Sequence, residues 1–323
     1  MPRLRSLTLI VALFAGLAAP ASAQQTLTAP GPEGELAGTL VMPEPDHPLV
    51  LIIPGSGMTD RDGNNPLAVT AAPYRLLAEA LQQHGIGTLR IDKRGMFGSK
   101  AATADPNAVT IADYVADTAS WIESARAQIA IDCVWLLGHS EGAIVALAAA
   151  QELDNLCGVI LVTAPGRPMG TVLREQLHAN PANAPLLEGV DAAIAELEAG
   201  RRVDVESLHP LLGRLFAPTV QGFMIDLMAH DPAQLAAATD VPLLIVHGGN
   251  DLQIAADDAA ALRAGAPDAE YVEIDAMNHV FKEVPADDPF ANRASYADAS
   301  LPVAPALVEA VAEFVMRPRG EEN

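Results

Sequence analysis

The sequence predicts an α/β fold in which a mostly parallel sheet is covered by helices on both faces. Three observations predict it. Aliphatic runs such as Leu49 to Ile53 and Val159 to Val162 lack the polar alternation of a half-wet sheet, so they read as strands buried on both sides. These runs alternate along the chain with segments of helical spacing. The polar clusters fall just beyond the runs, at the strand carboxyl ends where an open α/β sheet collects its chemistry.

Each element has its own justification. Thr26 to Ala29 and Glu35 to Val41 alternate and flank Pro30-Gly31-Pro32-Glu33-Gly34, which is hairpin turn chemistry. Leu49 to Ile53 is followed by Pro54-Gly55-Ser56-Gly57 and then Asp60-Arg61-Asp62-Gly63-Asn64. Tyr74, Leu77, Ala78 and Leu81 mark a helix from Tyr74 to Gln83, closed by Gly85. Ile86 to Ile91 is the next strand, ending in Asp92-Lys93-Arg94-Gly95 and a glycine-rich loop through Gly98 and Ser99. Ile111 to Ile129 reads as a helix with Ile111, Tyr114, Val115, Thr118 and Ile122 along one side.

Val134 to Leu137 then runs into Gly138-His139-Ser140-Glu141-Gly142, and the alanine-rich stretch to Ala150 continues as a helix. After Val159 to Val162 the pattern changes. Between Gly166 and Thr239 no aliphatic strand occurs, only helical segments (Thr171 to His178, Val190 to Ala199, Gln221 to Ala229) punctuated by prolines. Residues 167–239 therefore read as a helical cap inserted between core segments 24–166 and 240–323. Strand signals resume with Val241 to Val246. A helix from Ala255 to Ala264, a strand from Tyr271 to Ile274, a loop containing Pro285 and Pro289, and a final helix from Ala304 to Met316 complete the chain.

The first 23 residues have the composition of an export signal: Arg3 and Arg5, an apolar run from Leu7 to Ala19, and small residues Ala21-Ser22-Ala23 at the cleavage position. The apolar run is short for a membrane span. The expectation is a periplasmic or secreted protein without a membrane anchor once the signal is cleaved. Loss of those two arginines takes the formal charge from −22 to −24, a surface that repels nucleic acid and anionic membranes. Half the residues are hydrophobic, so the acidity clothes a real core. Cys133 and Cys157 each lie at the start of an aliphatic run, side by side if those strands are parallel neighbours; they read either as a disulfide or as two buried thiols.

Chemistry enters at Gly138-His139-Ser140-Glu141-Gly142. A serine exposed at the end of a strand sits on a sharp backbone turn, and side chains at 138 and 142 would collide with neighbours. The hydroxyl needs a base, and the base needs a carboxylate to hold its tautomer. His279 follows the last strand and Asp251 the one before it, so Ser140, Asp251 and His279 form a candidate triad. Oxyanion donors are expected at the backbone N–H of Glu141 and at the backbone of Ser56 or Gly57. His139 is expected to point away from the site. No metal-ligand spacing and no phosphate-binding glycine loop appears, so neither metal nor cofactor is predicted.

Taken together, Pro54-Gly55-Ser56-Gly57, Asp60-Arg61-Asp62-Gly63-Asn64, Asp92-Lys93-Arg94-Gly95 and Gly138-His139-Ser140-Glu141-Gly142 make the chain similar to the α/β-hydrolase superfamily. Within it they resemble bacterial carboxylesterase-like proteins grouped with serine aminopeptidase-type hydrolases. The resemblance implies an eight-stranded sheet, a cap after the sixth strand, the same triad, and hydrolysis of small carboxylic esters without a cofactor. Two alternatives stay open: an amide-cleaving aminopeptidase, whose cap acids (Glu175, Glu188, Asp191, Glu196) would bind a free amine, and a noncatalytic binding module of the same fold. Two further expectations concern side chains near the site. Glu141 should be neutralised by Arg61 or Arg94, since an unpaired buried charge costs several kcal/mol. Cap residues Leu211, Leu212, Leu215, Phe216, Phe223, Met224 and Met228 could line an acyl pocket or simply pack the cap.

Overall fold

A computed structural model describes residues 24–66 and 69–317. The signal expected in the first 23 residues lies outside them. Eight strands form one sheet: β1 (Gln24–Pro30), β2 (Glu35–Val41), β3 (Leu49–Ile53), β4 (Gly87–Ile91), β5 (Val134–His139), β6 (Leu156–Val162), β7 (Leu243–Gly248) and β8 (Glu270–Ile274), in the order β1-β2-β4-β3-β5-β6-β7-β8. The β1–β2 hairpin and the β2–β4 pairing are antiparallel, and every other pairing is parallel.

The aliphatic runs are buried on both faces because each strand feeds two cores. Leu49, Leu51 and Ile53 of β3 join one core and Val50 and Ile52 the other; on β5, Val134 and Leu136 part in the same way from Trp135 and Leu137. The first core lies under α2 (Ile111–Gln128), α3 (Glu141–Glu152) and α9 (Ala256–Gly265), the second under α1 (Pro73–Gln82) and α11 (Pro305–Met316). Full burial of each such side chain is worth roughly 1.5–3 kcal/mol. Helix α2 starts where its sequence says it should, with Thr110 and Asp113 forming a reciprocal capping box.

Between β6 and β7 come α4 (Met169–His178), α5 (Leu187–Glu198), α6 (Leu212–Leu215), α7 (Gln221–Met228) and α8 (Pro232–Ala237). They enclose a small core of their own, built on Val190, Ile194, Leu197, Leu212, Phe216 and Met228. Leu215 and Met224 pack on it, Leu211 is exposed, and Phe223 sits edge-on to Tyr114 of α2. None of the seven apolar cap residues named above lines the cleft beside Ser140. The cap is fastened by Asp226, whose carboxylate accepts the Ile111 N–H at 2.7 Å, and by Gln151, which donates to the Leu235 carbonyl.

One element departs from expectation. The proline-containing loop after Pro285 includes a helix, α10 (Pro289–Ser295), which starts because Asp288 caps it and Pro289 occupies its first position.

Cys133 and Cys157 are joined by a disulfide, with Cα atoms 5.2 Å apart across the β5–β6 pairing. It closes a loop with a sequence separation of 24, for which the chain-entropy argument gives about 3 kcal/mol. Reduction, or the pair Cys133→Ser and Cys157→Ser, should lower the unfolding free energy by about that amount in urea titrations. Two reactive thiols in the unfolded, unreduced protein would contradict the bridge.

Candidate active site

At the turn after β5 the backbone leaves its ordinary range. Ser140 has φ 52° and ψ −124°, a strained conformation for a residue with a side chain. Its amide donates to the Val162 carbonyl at 3.2 Å, and α3 begins at the next residue. A Cβ at Gly138 would lie 2.5 Å from the Ala143 Cα, and one at Gly142 would lie 2.3 Å from the Ile53 carbonyl oxygen. Both glycines are therefore required by space alone. Gly55, after β3, passes so close that an added Cβ would sit 3.3 Å from the Ser140 Cβ.

Asp251 and His279 come from the loops after β7 and β8. The His279 Nδ1 lies 2.7 Å from the Asp251 Oδ2, while the Asp251 Oδ1 accepts the backbone N–H groups of Gln253 and Ile254 at 2.7 and 3.1 Å. The carboxylate is thus fully engaged, and Nδ1 carries its proton toward it, leaving Nε2 with the lone pair. The two loops are tied at their bases, since Asn250 N–H donates to the Met277 carbonyl at 3.0 Å. A second tie runs through α10. Asn292, buried, donates to the Asn250 carbonyl at 2.8 Å and accepts from Asn278 at 3.1 Å, joining the residue before Asp251 to the residue before His279.

Ser140 and His279 line one cleft of about 140 Å³, together with Gly55, Ser56, Thr59, Asn65, Tyr74, Gln253 and Tyr296 among others. Ser56 lines it and Gly57 does not; Gly57 occupies the left-handed turn behind, at φ 67°. No Asp, Glu, Lys or Arg lines the cleft among the described residues. The four cap acids lie elsewhere. Glu175 pairs with Arg167, Asp191 with Arg174 and His178, and Glu196 with Arg201, while Glu188 is exposed.

Neither Arg61 nor Arg94 neutralises Glu141. Arg61 is bonded to Asp92 through its backbone N–H, Nε and a terminal nitrogen, and Arg94 holds Asp117 in a fork while reaching Asp113. The partner is Lys93, whose Nζ lies 3.2 Å from the Glu141 Oε1 and donates to the Gly55 carbonyl at 2.7 Å. Beyond the end of β4 the side chains of Asp92, Lys93 and Arg94 take different partners, and of the nearby cations Lys93 is the one that reaches Glu141. Arg90 completes the series by pairing with Asp62.

His139 also differs from expectation. It does not point away: its ring lies 4.7 Å from that of His279 and lines the cleft. Its Nδ1 lies 2.6 Å from the Tyr74 hydroxyl and its Nε2 lies 3.0 Å from the His279 carbonyl oxygen. Burial holds this imidazole well below the usual histidine range, and the neighbouring His279 lowers it further.

Residues 67–283 match the family described as serine aminopeptidase, S33. The chain belongs to that family. The S33 chain is 28% identical over 254 residues to the esterase EstD of Thermotoga maritima, covering 76% of its own length and 58% of EstD. It thus spans little more than half of that relative. By fold the S33 chain is similar to the esterase domain of a Rhodothermus marinus protein, with TM-score 0.52, 19% identity, and 91% and 100% of the two chains covered. It is also similar to a puromycin-hydrolyzing peptidase of Mycobacterium tuberculosis, with TM-score 0.57, 16% identity, and 95% and 42% covered. The eight-stranded sheet and these likenesses make it an α/β hydrolase.

Two outcomes follow from the buried charges. Lys93→Met leaves Glu141 unpaired at a position only 3% exposed and should cost about 3–5 kcal/mol, whereas Lys93→Met combined with Glu141→Leu should recover much of it. Urea unfolding of the single and double variants measures the coupling, and a cost below about 1 kcal/mol for Lys93→Met would contradict the pairing. His139 gives the second. The unfolded chain takes up its proton near pH 6.5 and the folded chain only well below, so stability is fully present above that pH and lost as the pH falls. This group should contribute a slope approaching about 1.4 kcal/mol per pH unit, absent in His139→Gln, in unfolding titrations between pH 6.5 and 5.

Proposed function

We propose that the protein is an exported serine esterase acting on small, uncharged carboxylic esters through an acyl-enzyme. Ser140 Oγ attacks the ester carbonyl while His279 Nε2 takes its proton, and the alcohol leaves with that proton. Water then attacks the acyl carbonyl, again giving its proton to His279, and Ser140 departs with it. Asp251 keeps the ring in the working tautomer. The backbone N–H of Glu141, opening α3, and that of Ser56 hold the oxyanion. Ser56 is preferred to Gly57 because it lines the cleft and Gly57 does not.

The observation that carries this reading is a cleft holding Ser140 and His279 with no Asp, Glu, Lys or Arg on its walls among the described residues. An aminopeptidase must bind a free ammonium, and each of Glu175, Asp191 and Glu196 is already paired with a cation outside the cleft. A volume of about 140 Å³ holds the equivalent of about five waters, enough for a short acyl group. Export is supported by the arginine-led apolar leader and by a bridge between the two cysteines of the chain.

The test is turnover of p-nitrophenyl esters from acetate to decanoate beside aminoacyl p-nitroanilides, on wild type and Ser140→Ala. We expect kcat/KM for acetate and butyrate to exceed that for decanoate by about tenfold or more, and Ser140→Ala to lose about 10⁴-fold. Anilide turnover above ester turnover would make the protein a peptidase. A wild type that hydrolyses neither and is not labelled by a fluorophosphonate would make it a binding module.

A further inference from the structure

A buried tyrosine and histidine on the wall of the cleft perform no step of the reaction proposed above, yet they touch both of its loops. Tyr74, on α1, is 1% exposed, and His139 is 6% exposed. The Gly55 N–H donates to the Tyr74 hydroxyl oxygen at 3.0 Å. That hydroxyl lies 2.6 Å from the His139 Nδ1, and the His139 Nε2 lies 3.0 Å from the carbonyl oxygen of His279. Phe281 packs edge-on to His139 with ring centroids 4.8 Å apart, and tilted against Tyr74, so the group is walled by an aromatic side chain.

The two ends of this chain fix the direction of every hydrogen bond in it. An amide N–H can only donate, so the Tyr74 oxygen accepts from Gly55 and its own proton is free to go to His139. Nδ1 must then be the unprotonated nitrogen, and Nε2–H is left to donate to a carbonyl that can only accept. Neutral His139 in the Nε2–H tautomer satisfies all three bonds, whereas the opposite tautomer sets a lone pair of Nε2 against the His279 carbonyl oxygen and loses that bond. Burial against the neutral ring of Phe281 favours that uncharged state.

We propose that Tyr74 and His139 are positioning residues that hold the oxyanion loop and the base loop at a fixed separation. This rests on the esterase reading. The Gly55 N–H is committed to Tyr74, which fixes the Pro54–Gly55 peptide plane, one unit ahead of the peptide that carries the Ser56 N–H. Lys93 grips the same loop from the Gly55 carbonyl, so both faces of the loop are held. At the far end, His139 pins the main chain of His279 itself, so a movement of either loop is opposed by the same pair of side chains. Donors aligned before the reaction stabilise the developing oxyanion without reorganising, and a misplacement of about 1 Å is enough to lose much of that benefit.

The experiment uses the full chain as wild type, Tyr74→Phe and His139→Asn. Ester kinetics are run beside the binding of phenylboronic acid, whose tetrahedral adduct on Ser140 places an oxygen at the oxyanion position. Tyr74→Phe should lower kcat about tenfold or more with KM within twofold, and should weaken boronate binding by a similar factor. His139→Asn, read on the folded fraction, should move the same two quantities in the same direction. In ¹⁵N-histidine spectra at pH 7, wild type should show His139 as the Nε2–H tautomer, with its Nδ1 resonance displaced in Tyr74→Phe.

Two folded variants that keep kcat and boronate affinity within twofold of wild type would overturn the proposal, as would an Nδ1–H tautomer for His139. A merely structural role would lower the urea midpoint and leave kcat per folded molecule unchanged. Wild type inactive on every ester would instead defeat the esterase reading on which the proposal rests, and the spectra would still report whether the hydrogen-bonded chain exists.

Discussion

The turn that carries Ser140 is the constraint on which the rest depends. A non-glycine residue at φ 52° survives only where its surroundings over-determine it, and here they do. β5 is paired on both sides, by β3 and by β6, and the Ser140 amide is held by the carbonyl of Val162. Gly142 packs against the end of β3, which brings the loop after β3 alongside the serine. Strand order therefore decides which loop can serve the hydroxyl. Only the neighbours of β5 reach it directly, and the loops after β7 and β8 must lean back across the sheet.

That leaning has to be stabilised, and burial of polar groups does it. Asn250, Asn278 and Asn292 link the two returning loops through side chains whose donors and acceptors meet one another or backbone. On the other side of Ser140, four charges within the five residues 90–94 at the end of β4 are neutralised by four different routes: Arg90 by Asp62, Asp92 by Arg61, Lys93 by Glu141, and Arg94 by Asp113 and Asp117. Each pair ties a loop to the sheet, to α2 or to α3. A buried pair gains little net free energy over an apolar one, but losing one partner is expensive, so such pairs act as locks on loop position more than as sources of stability.

The fold was legible because its signals are additive. Leu49 to Ile53 or Val134 to Leu137 can only be strands covered on both faces, and the alternation of strands with helices leaves few topologies. The candidate site was legible where a position has a reason of its own: Gly138 and Gly142 have no room for side chains, and Asp251 and His279 follow strands in the expected order. What could not be read was pairing. Glu141 needs a cation, and Arg61, Lys93 and Arg94 all lie in the right motifs; the fold decides among them by giving Arg61 to Asp92 and Arg94 to Asp113 and Asp117. Tyr74 reads as one more apolar position beside Leu77 and Leu81. The signal that distinguishes it is chemical, since a tyrosine on a core stripe must find a partner for its hydroxyl. Helix α10 hid because two prolines suggest a loop, although an aspartate directly before a proline is also a helix start.

The uncharged cleft explains why so acidic a chain need not be selective for charged substrates. A formal charge of −22 spread over the surface creates a field that salt screens within about 8–10 Å. Inside the cleft the polar side chains are serine, threonine, tyrosine, asparagine, glutamine and histidine, set beside glycine, proline and valine. The cap contributes to this by using its acids on its own arginines, and by resting Gln176 of α4 on the Gln253 carbonyl at 2.9 Å, where it adjoins the rim. On the proposed esterase reading, selection among substrates then falls to volume and hydrogen-bond geometry. An ammonium would lose its hydration on entering and gain no counter-ion, a loss of several kcal/mol that a neutral ester does not incur.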